Sequence, residues 1–154
     1  MARHQTQADT AHGADPATVV RSFLVAIDAG DGEMIARLLH PELVYTNVSL
    51  PSMRGGERVA KLFASAMRRG LRADIRVHRL AADGDEVLTE RTDVLKIGGV
   101  HVAFWVCGVF RVRDGRIVLW RDYFDWMDFS RGILRGALGA FVPALRPNLP
   151  AERE

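Results

Sequence analysis

The hydrophobic period of the chain changes once, at about Ala73, and that change limits the folds open to it. Upstream, apolar residues recur at helical spacing: Val19, Val20, Phe23, Leu24 and Ile27, then Met34, Ile35, Leu38 and Leu39, then Val59, Leu62, Phe63, Ala66 and Met67. Downstream the period is two, cut by the turn signals Asp83-Gly84-Asp85, Gly98-Gly99 and Asp114-Gly115. Asp15-Pro16 supplies a helix cap followed by Pro in the first turn, Gly30-Asp31-Gly32 ends that helix, and His40-Pro41 stops the next. The pattern predicts helices over 16–29, 33–39 and 57–69, a strand over 43–48, and a loop over 51–56. A meander of long antiparallel strands follows, starting with Ile75, Val77 and Arg79 and continuing over 86–97, 100–113 and the segment that ends at Asp125. Helices segregated from strands in this way predict an α+β domain, with the helices covering one face of a curved sheet. A last helical pattern over 127–138 is weakened by Gly132, Gly136 and Gly139. The expected organisation is a polar, flexible arm over 1–15, a single domain over 16–140, and an extended tail over 141–154 carrying Pro143, Pro147 and Pro150.

Composition excludes several functions. The net charge of +2 argues against a nucleic-acid partner. The longest apolar run, Val102 to Phe110, is too short to span a bilayer, and residues 1–15 hold no apolar stretch of the secretory kind. A single cysteine, Cys107, rules out an internal disulfide and fits a reducing compartment, so the expected location is the cytoplasm. Cys107 lies in an apolar strand without a basic neighbour and reads as an inert packing residue. The five histidines show no metal-ligand spacing, and neither a Gly-x-Ser-x-Gly elbow nor a glycine-rich phosphate loop is present. Arg58, Lys61, Arg68 and Arg69 cluster on the polar face of the third helix and read as a solvated surface.

The chemistry concentrates in three strands. Strand periodicity puts Val118, Trp120, Asp122 and Phe124 on one face, and a carboxylate among large apolar residues costs free energy unless something pairs with it. On the strand over 86–97, Val87, Thr89, Arg91, Asp93 and Leu95 share a face. Tyr45 and Asn47 are likewise two apart. Should all three strands aim these groups at the concave side of one sheet, Arg91 can bond Asp93 and Asp122 together, since a guanidinium fork serves two carboxylates. Two carboxyls sharing one cation need not titrate alike, which lets one site hold both an acid and a base. Residue by residue, the same pattern also describes a core salt-bridge network, a core tyrosine and a strand-edge asparagine.

The segments Glu90-Arg91-Thr92-Asp93-Val94-Leu95, Gly108-Val109-Phe110 and Trp120-Arg121-Asp122-Tyr123-Phe124-Asp125, with Tyr45-Thr46-Asn47, resemble the limonene-1,2-epoxide hydrolase family over roughly residues 16–130. The resemblance implies a cone-shaped, curved mixed sheet with helices on its concave face, as in the nuclear-transport-factor-2-like, SnoaL-like and cystatin-like proteins. It implies a homodimer, no metal or other cofactor, and one-step addition of water to a hydrophobic epoxide to give a diol. By that resemblance Asp122 is the general base, Tyr45 and Asn47 hold the water, protonated Asp93 is the acid, and Arg91 bridges the two carboxyls. It also places Leu24, Ile27, Ile75, Leu95, Phe104, Val106, Phe124 and Phe129 in an apolar substrate pocket. The chain departs from the family in a shorter turn at Gly98-Gly99, a bulkier Phe104, Gly70 in place of a larger side chain, and the segment after Ile133. On the opposite face, Val94, Ala103, Trp105, Val109, Leu119 and Tyr123 make an apolar surface that helices or a second subunit must cover. The rival readings are a ketosteroid-isomerase-like or polyketide-cyclase-like catalyst, or a protein that binds an apolar ligand without reacting it.

Overall fold

A computed structural model describes residues 14–147 and 149, so all but the last two residues of the expected arm, and most of the tail's end, lie outside the described residues. Helix α1 (Pro16–Ala29) opens where the Asp15 carboxylate accepts from the Thr18 N–H at 2.9 Å, and closes at Gly30, whose φ of +69° suits a residue without a Cβ. Helix α2 (Gly32–Leu38) leads directly into strand β1 (Leu39–Asn47). His40-Pro41 does stop the helix, but extension begins four residues before the predicted 43, with Leu39 already paired to Ile117. Within the predicted loop a two-residue strand β2 (Met53–Arg54) turns back on β1. Helix α3 (Gly56–Arg68) follows, then the meander β3 (Arg72–Asp83), β4 (Glu86–Ile97), β5 (Val100–Arg113) and β6 (Arg116–Phe124), and finally α4 (Trp126–Phe141).

The six strands form one curved sheet in the order β2-β1-β6-β5-β4-β3. The β1–β6 pair is parallel and all the others are antiparallel, so the sheet is mixed. Helix α1 packs over β3, α3 over β1 and α4 against β5, which makes the α+β architecture of the nuclear-transport-factor-2-like group. Phe23, Phe110 and Trp120 meet edge-on or stacked at the centre, with the Phe23 and Trp120 rings 4.9 Å apart.

Besides a register shift in β1 between Leu39 and Val44, two bulges in the meander break the strict alternation that the sequence suggests. The β3 register shifts between Val77 and Arg79, so Leu80 rather than Arg79 packs against the core. In β6, Leu119 pairs with Arg111 but Ile117 pairs with Val112, which leaves Val118 as the extra residue. Ile117, not Val118, is therefore the fully buried partner of Trp120.

The glycines of the last segment do not end its helix. β6 stops at Phe124 opposite Val106, so residues 100–105 of β5 have no strand on that side, and α4 takes its place. A Cβ at Gly132 would stand 2.8 Å from the Ala103 carbonyl oxygen, and one at Gly136 would stand 2.5 Å from that of His101. Contact with the strand edge outweighs their poor helix propensity. The helix then runs through Phe141 and is followed by a 3₁₀ turn at Pro143–Leu145, where the sequence suggests an extended tail. On the outer sheet face Val94 is already buried within the chain, whereas Trp105 and Tyr123 are 46% and 39% exposed.

Candidate active site

Registers place Thr89 of β4, Gly108 of β5, Asp122 of β6 and Asn47 of β1 in one row across four strands. Arg91 and Asp93 come next along β4 and Tyr45 precedes Asn47 on β1, all among the residues that line one cavity. The period-two reading of these strands holds here because neither bulge falls within the row.

Arg91 is the largest fully buried side chain among the described residues, at 2% exposure, beside Asp93 at 8% and Asp122 at 5%. Its Nε donates to both oxygens of Asp93, at 2.9 and 3.0 Å, and one terminal nitrogen donates to Asp122 Oδ2 at 2.7 Å. The other terminal nitrogen leans on Thr89 Oγ1 at 3.4 Å. To reach Asp122 from β4 the guanidinium must cross β5, and it does so over Gly108. A Cβ there would lie 2.5 Å from the Arg91 nitrogen and 2.7 Å from Thr89 Oγ1. Gly108 is thus the slot through which the two carboxylates are joined. The sequence assigns no role to Gly108 or Thr89: Gly108 stands within Gly108-Val109-Phe110, and Thr89 shares a strand face with Arg91 and Asp93.

The second oxygen of Asp122, Oδ1, is buried without a hydrogen-bond partner among the described residues. Such an atom is costly unless it serves a ligand or a reaction. Burial pushes the Asp93 carboxyl up to about 6, and the Asp122 charge adds to this, although Arg91 pulls the other way. Burial also works against the Arg91 charge, but the two carboxylates outweigh it and hold the guanidinium protonated. The Tyr45 hydroxyl is pushed up to about 12, first by burial and then by Asp122. It accepts from Asn47 Nδ2 at 2.9 Å, which leaves its own O–H free to donate. Asn47 stands directly across from Asp122 in the parallel β1–β6 ladder.

These groups line a cavity of about 230 Å³. Leu24 and Ile27 come to it from α1, and Ile75 and Leu95 from β3 and β4. Phe104, Phe124 and Phe129 close one end as a mutually packed trio with ring centroids 4.9 to 5.6 Å apart. Val106 does not reach the lining. It is 1% exposed and pairs with Arg91 on one flanking strand and Phe124 on the other, both of which do line the cavity. Phe63, Met67, Leu71, Ala73 and Trp120 also line the cavity. The apolar stripe of α3 announces a buried face, but not that this face borders a cavity. Among the described residues, no three His, Cys, Asp or Glu side chains gather as a metal site would require, and no helix is long and apolar enough to cross a membrane.

Comparison with known proteins agrees with this geometry. The model of the limonene-1,2-epoxide hydrolase catalytic domain matches residues 14–135. Epoxide hydrolase EphG of Mycobacterium tuberculosis (strain ATCC 25618 / H37Rv) is 44% identical over 145 residues, which cover 94% of this chain and 97% of that protein. The solved structure of an M. tuberculosis LEH-like epoxide hydrolase superposes with a TM-score of 0.85 at 45% identity, covering 89% of this chain and 97% of the other. A putative polyketide cyclase from Xanthomonas campestris shares only the fold, with a TM-score of 0.64 at 18% identity over 76% of this chain and 96% of its own. The match runs through every strand that carries the Asp93-Arg91-Asp122 cluster, and the chain belongs to the limonene-1,2-epoxide hydrolase family of the nuclear-transport-factor-2-like, SnoaL-like superfamily.

Proposed function

We propose that the protein adds water to a hydrophobic epoxide and releases a vicinal diol, in one step of paired proton transfers. The observation that carries this reading is the Arg91 bridge: it joins two buried carboxyls of the cavity lining and leaves Asp122 Oδ1 without a partner among the described residues. An epoxide oxygen leaves carbon readily only when it is protonated, and water attacks readily only when it is deprotonated. In this reading Asp122 Oδ1 takes a proton from a water held by Tyr45 and Asn47 while the water oxygen bonds to an epoxide carbon. The carbon–oxygen bond opposite breaks, and Asp93 gives its proton to the departing oxygen. The diol keeps both oxygens. Asp122 is left protonated and Asp93 ionised, and exchange with solvent restores the starting state.

Arg91 suits this scheme on two counts. Its fork fixes both carboxyls in orientation, so that base and acid face one substrate from two sides. With one proton shared between Asp93 and Asp122, the three side chains sum to no net charge, which fits a cavity walled mainly by apolar groups. Every step is carried by these side chains and water, without metal or cofactor. On the outer face, Trp105 and Tyr123 with Cys107, Val109 and Leu119 support a homodimer, which sedimentation at varied concentration tests.

The decisive experiment measures diol from limonene oxide, cyclohexene oxide and a long-chain epoxide with wild type and with Asp122→Asn. Wild type should form diol. Asp122→Asn should keep its circular dichroism spectrum and lose at least about a hundredfold in rate, since an amide cannot accept the water's proton. Folded Asp122→Asn with the wild-type rate sinks the mechanism.

A further inference from the structure

One charge at the rim of the cavity takes no part in the mechanism. Arg72, the first residue of β3, lines the cavity and is exposed to solvent. Among the described residues of the lining it is the one charged side chain outside the Arg91–Asp93–Asp122 cluster. Its Nη1 donates to the carbonyl oxygens of Met67 and Leu71, at 2.9 and 2.8 Å, which holds the guanidinium against the end of α3. The opposite edge, Nε and Nη2, has no partner among the described residues. Nearby carboxylates are engaged elsewhere: Asp74 pairs with Lys96, and Asp28 accepts from the Ile75 N–H at 2.6 Å. Arg68 and Arg69 at the end of α3 strengthen the positive field of this rim. Gly70 makes the turn before Arg72 at φ +91°, and nothing lies within 4 Å of its Cβ position, so the rim is open on that side.

A cation at the rim of an apolar cavity suits a ligand with an apolar body and an anionic end. The Nε–Nη2 edge presents two parallel N–H groups, the geometry that takes both oxygens of a carboxylate. We propose that Arg72 binds a substrate carboxylate, and that the substrate class is a hydrocarbon carboxylic acid with an epoxide within its chain, a class that rests on the epoxide-hydrolase reading above. Ile75 stands across from Asp93 in the β3–β4 ladder, and Arg72 lies three residues back along β3, which is about 10 Å of strand. Ala73, Leu71 and Met67 wall that interval with apolar surface. An epoxide placed against Asp93 and Asp122 thus lays its hydrocarbon along these side chains and brings its carboxylate to the rim. Turned the other way, the carboxylate would lie among Phe104, Phe124 and Phe129 without a partner, so Arg72 also sets which end of the chain enters first.

The test compares wild type with Arg72→Gln and Arg72→Glu on an unbranched carboxylic acid whose internal epoxide stands about 10 Å from its carboxyl, and on the methyl ester of the same compound. Assays run at a pH of about 6, where the acid is ionised. The readout is the ratio of kcat/KM for acid to that for ester, in which any general effect of the substitution cancels. Arg72→Gln should lower this ratio about fivefold and Arg72→Glu more than about tenfold, through KM rather than kcat, because the residue lies away from the reacting atoms. Salt at about 0.5 M should bring the wild-type ratio toward that of Arg72→Gln. Ratios within about twofold of wild type in both variants overturn the assignment and leave Arg72 as a brace for the α3 turn. The salt series needs no variant, so a wild-type ratio that does not move with salt overturns the carboxylate contact even where a substitution disturbs that turn. Wild type that opens cyclohexene oxide but not the acid overturns the substrate class alone. Wild type that opens neither overturns the epoxide-hydrolase reading with it.

Discussion

Replacing Asp93 with Asn should remove a specific slope from the pH dependence of stability. Burial lifts this carboxyl from 3.8 to about 6 in the folded chain. Between those values the folded protein keeps a proton that the unfolded chain has lost, so it binds more protons and its stability falls as pH rises. The shift is roughly 2 units, and at about 1.4 kcal/mol per unit the full loss is about 3 kcal/mol, complete once pH has passed through about 6. About 2 kcal/mol of it falls between pH values of roughly 4.5 and 7.5, where urea unfolding is practical. The amide in Asp93→Asn binds no such proton in either state. The weakened pairing of Arg91 in the variant adds a nearly constant offset, which cancels when wild type and variant are compared across pH. The expected result is that wild type loses stability relative to Asp93→Asn by about 2 kcal/mol over that window, or about 1 M in urea midpoint. A difference that stays within about 0.5 kcal/mol across the window would refute the reasoning. It would mean that Asp93 titrates like an ordinary carboxyl and cannot hold a proton for the epoxide oxygen.

Three further outcomes follow from the same geometry. Gly108→Ala pushes a methyl into Arg91 and Thr89, so thermal unfolding should show a loss of about 1–3 kcal/mol, and diol formation should fall more than about tenfold as the bridge to Asp122 is displaced. Tyr45→Phe keeps the ring that packs 4.3 Å from Trp120 but loses one holder of the water, so kcat should drop about 10- to 100-fold with little change in the melting temperature. The wild-type rate needs protonated Asp93, so a pH–rate profile should decline as pH rises above about 6, and Tyr45, pushed up to about 12, should add no second alkaline break below pH of about 10.

The cluster at Arg91, Asp93 and Asp122 was legible because strand period and burial make one demand: a carboxylate in an apolar row needs a buried partner, and the next such row holds an arginine. The pairing of Asn47 with Asp122 was not legible, since a parallel contact between distant strands leaves no local mark. Bulges escape for a related reason. Nothing in Ile117-Val118-Leu119 says which residue will be skipped, because the register is set by the neighbouring strand. Gly132 and Gly136 misled in the other direction, since propensity describes a helix in water and theirs lies against a strand edge. Val106 shows the limit of a pocket carried over from a family resemblance: it pairs with Arg91 and Phe124 but is itself fully buried and outside the lining.

The docking of α4 along residues 100–105 has a further consequence, for how copies of the protein meet. A strand end without a neighbour offers its N–H and C=O groups to any extended chain that passes, and such edges seed aggregation. Here a helix occupies the place that an intruding strand would take, and it can lie close enough only because Gly132 and Gly136 have no side chains. The same helix carries Phe129 into the aromatic end of the cavity. Two glycines that look like flaws in a helix therefore let it cover this edge, and a valine in place of Gly136, whose Cβ would stand 2.5 Å from the His101 carbonyl oxygen, would disturb the docking of the helix that carries Phe129.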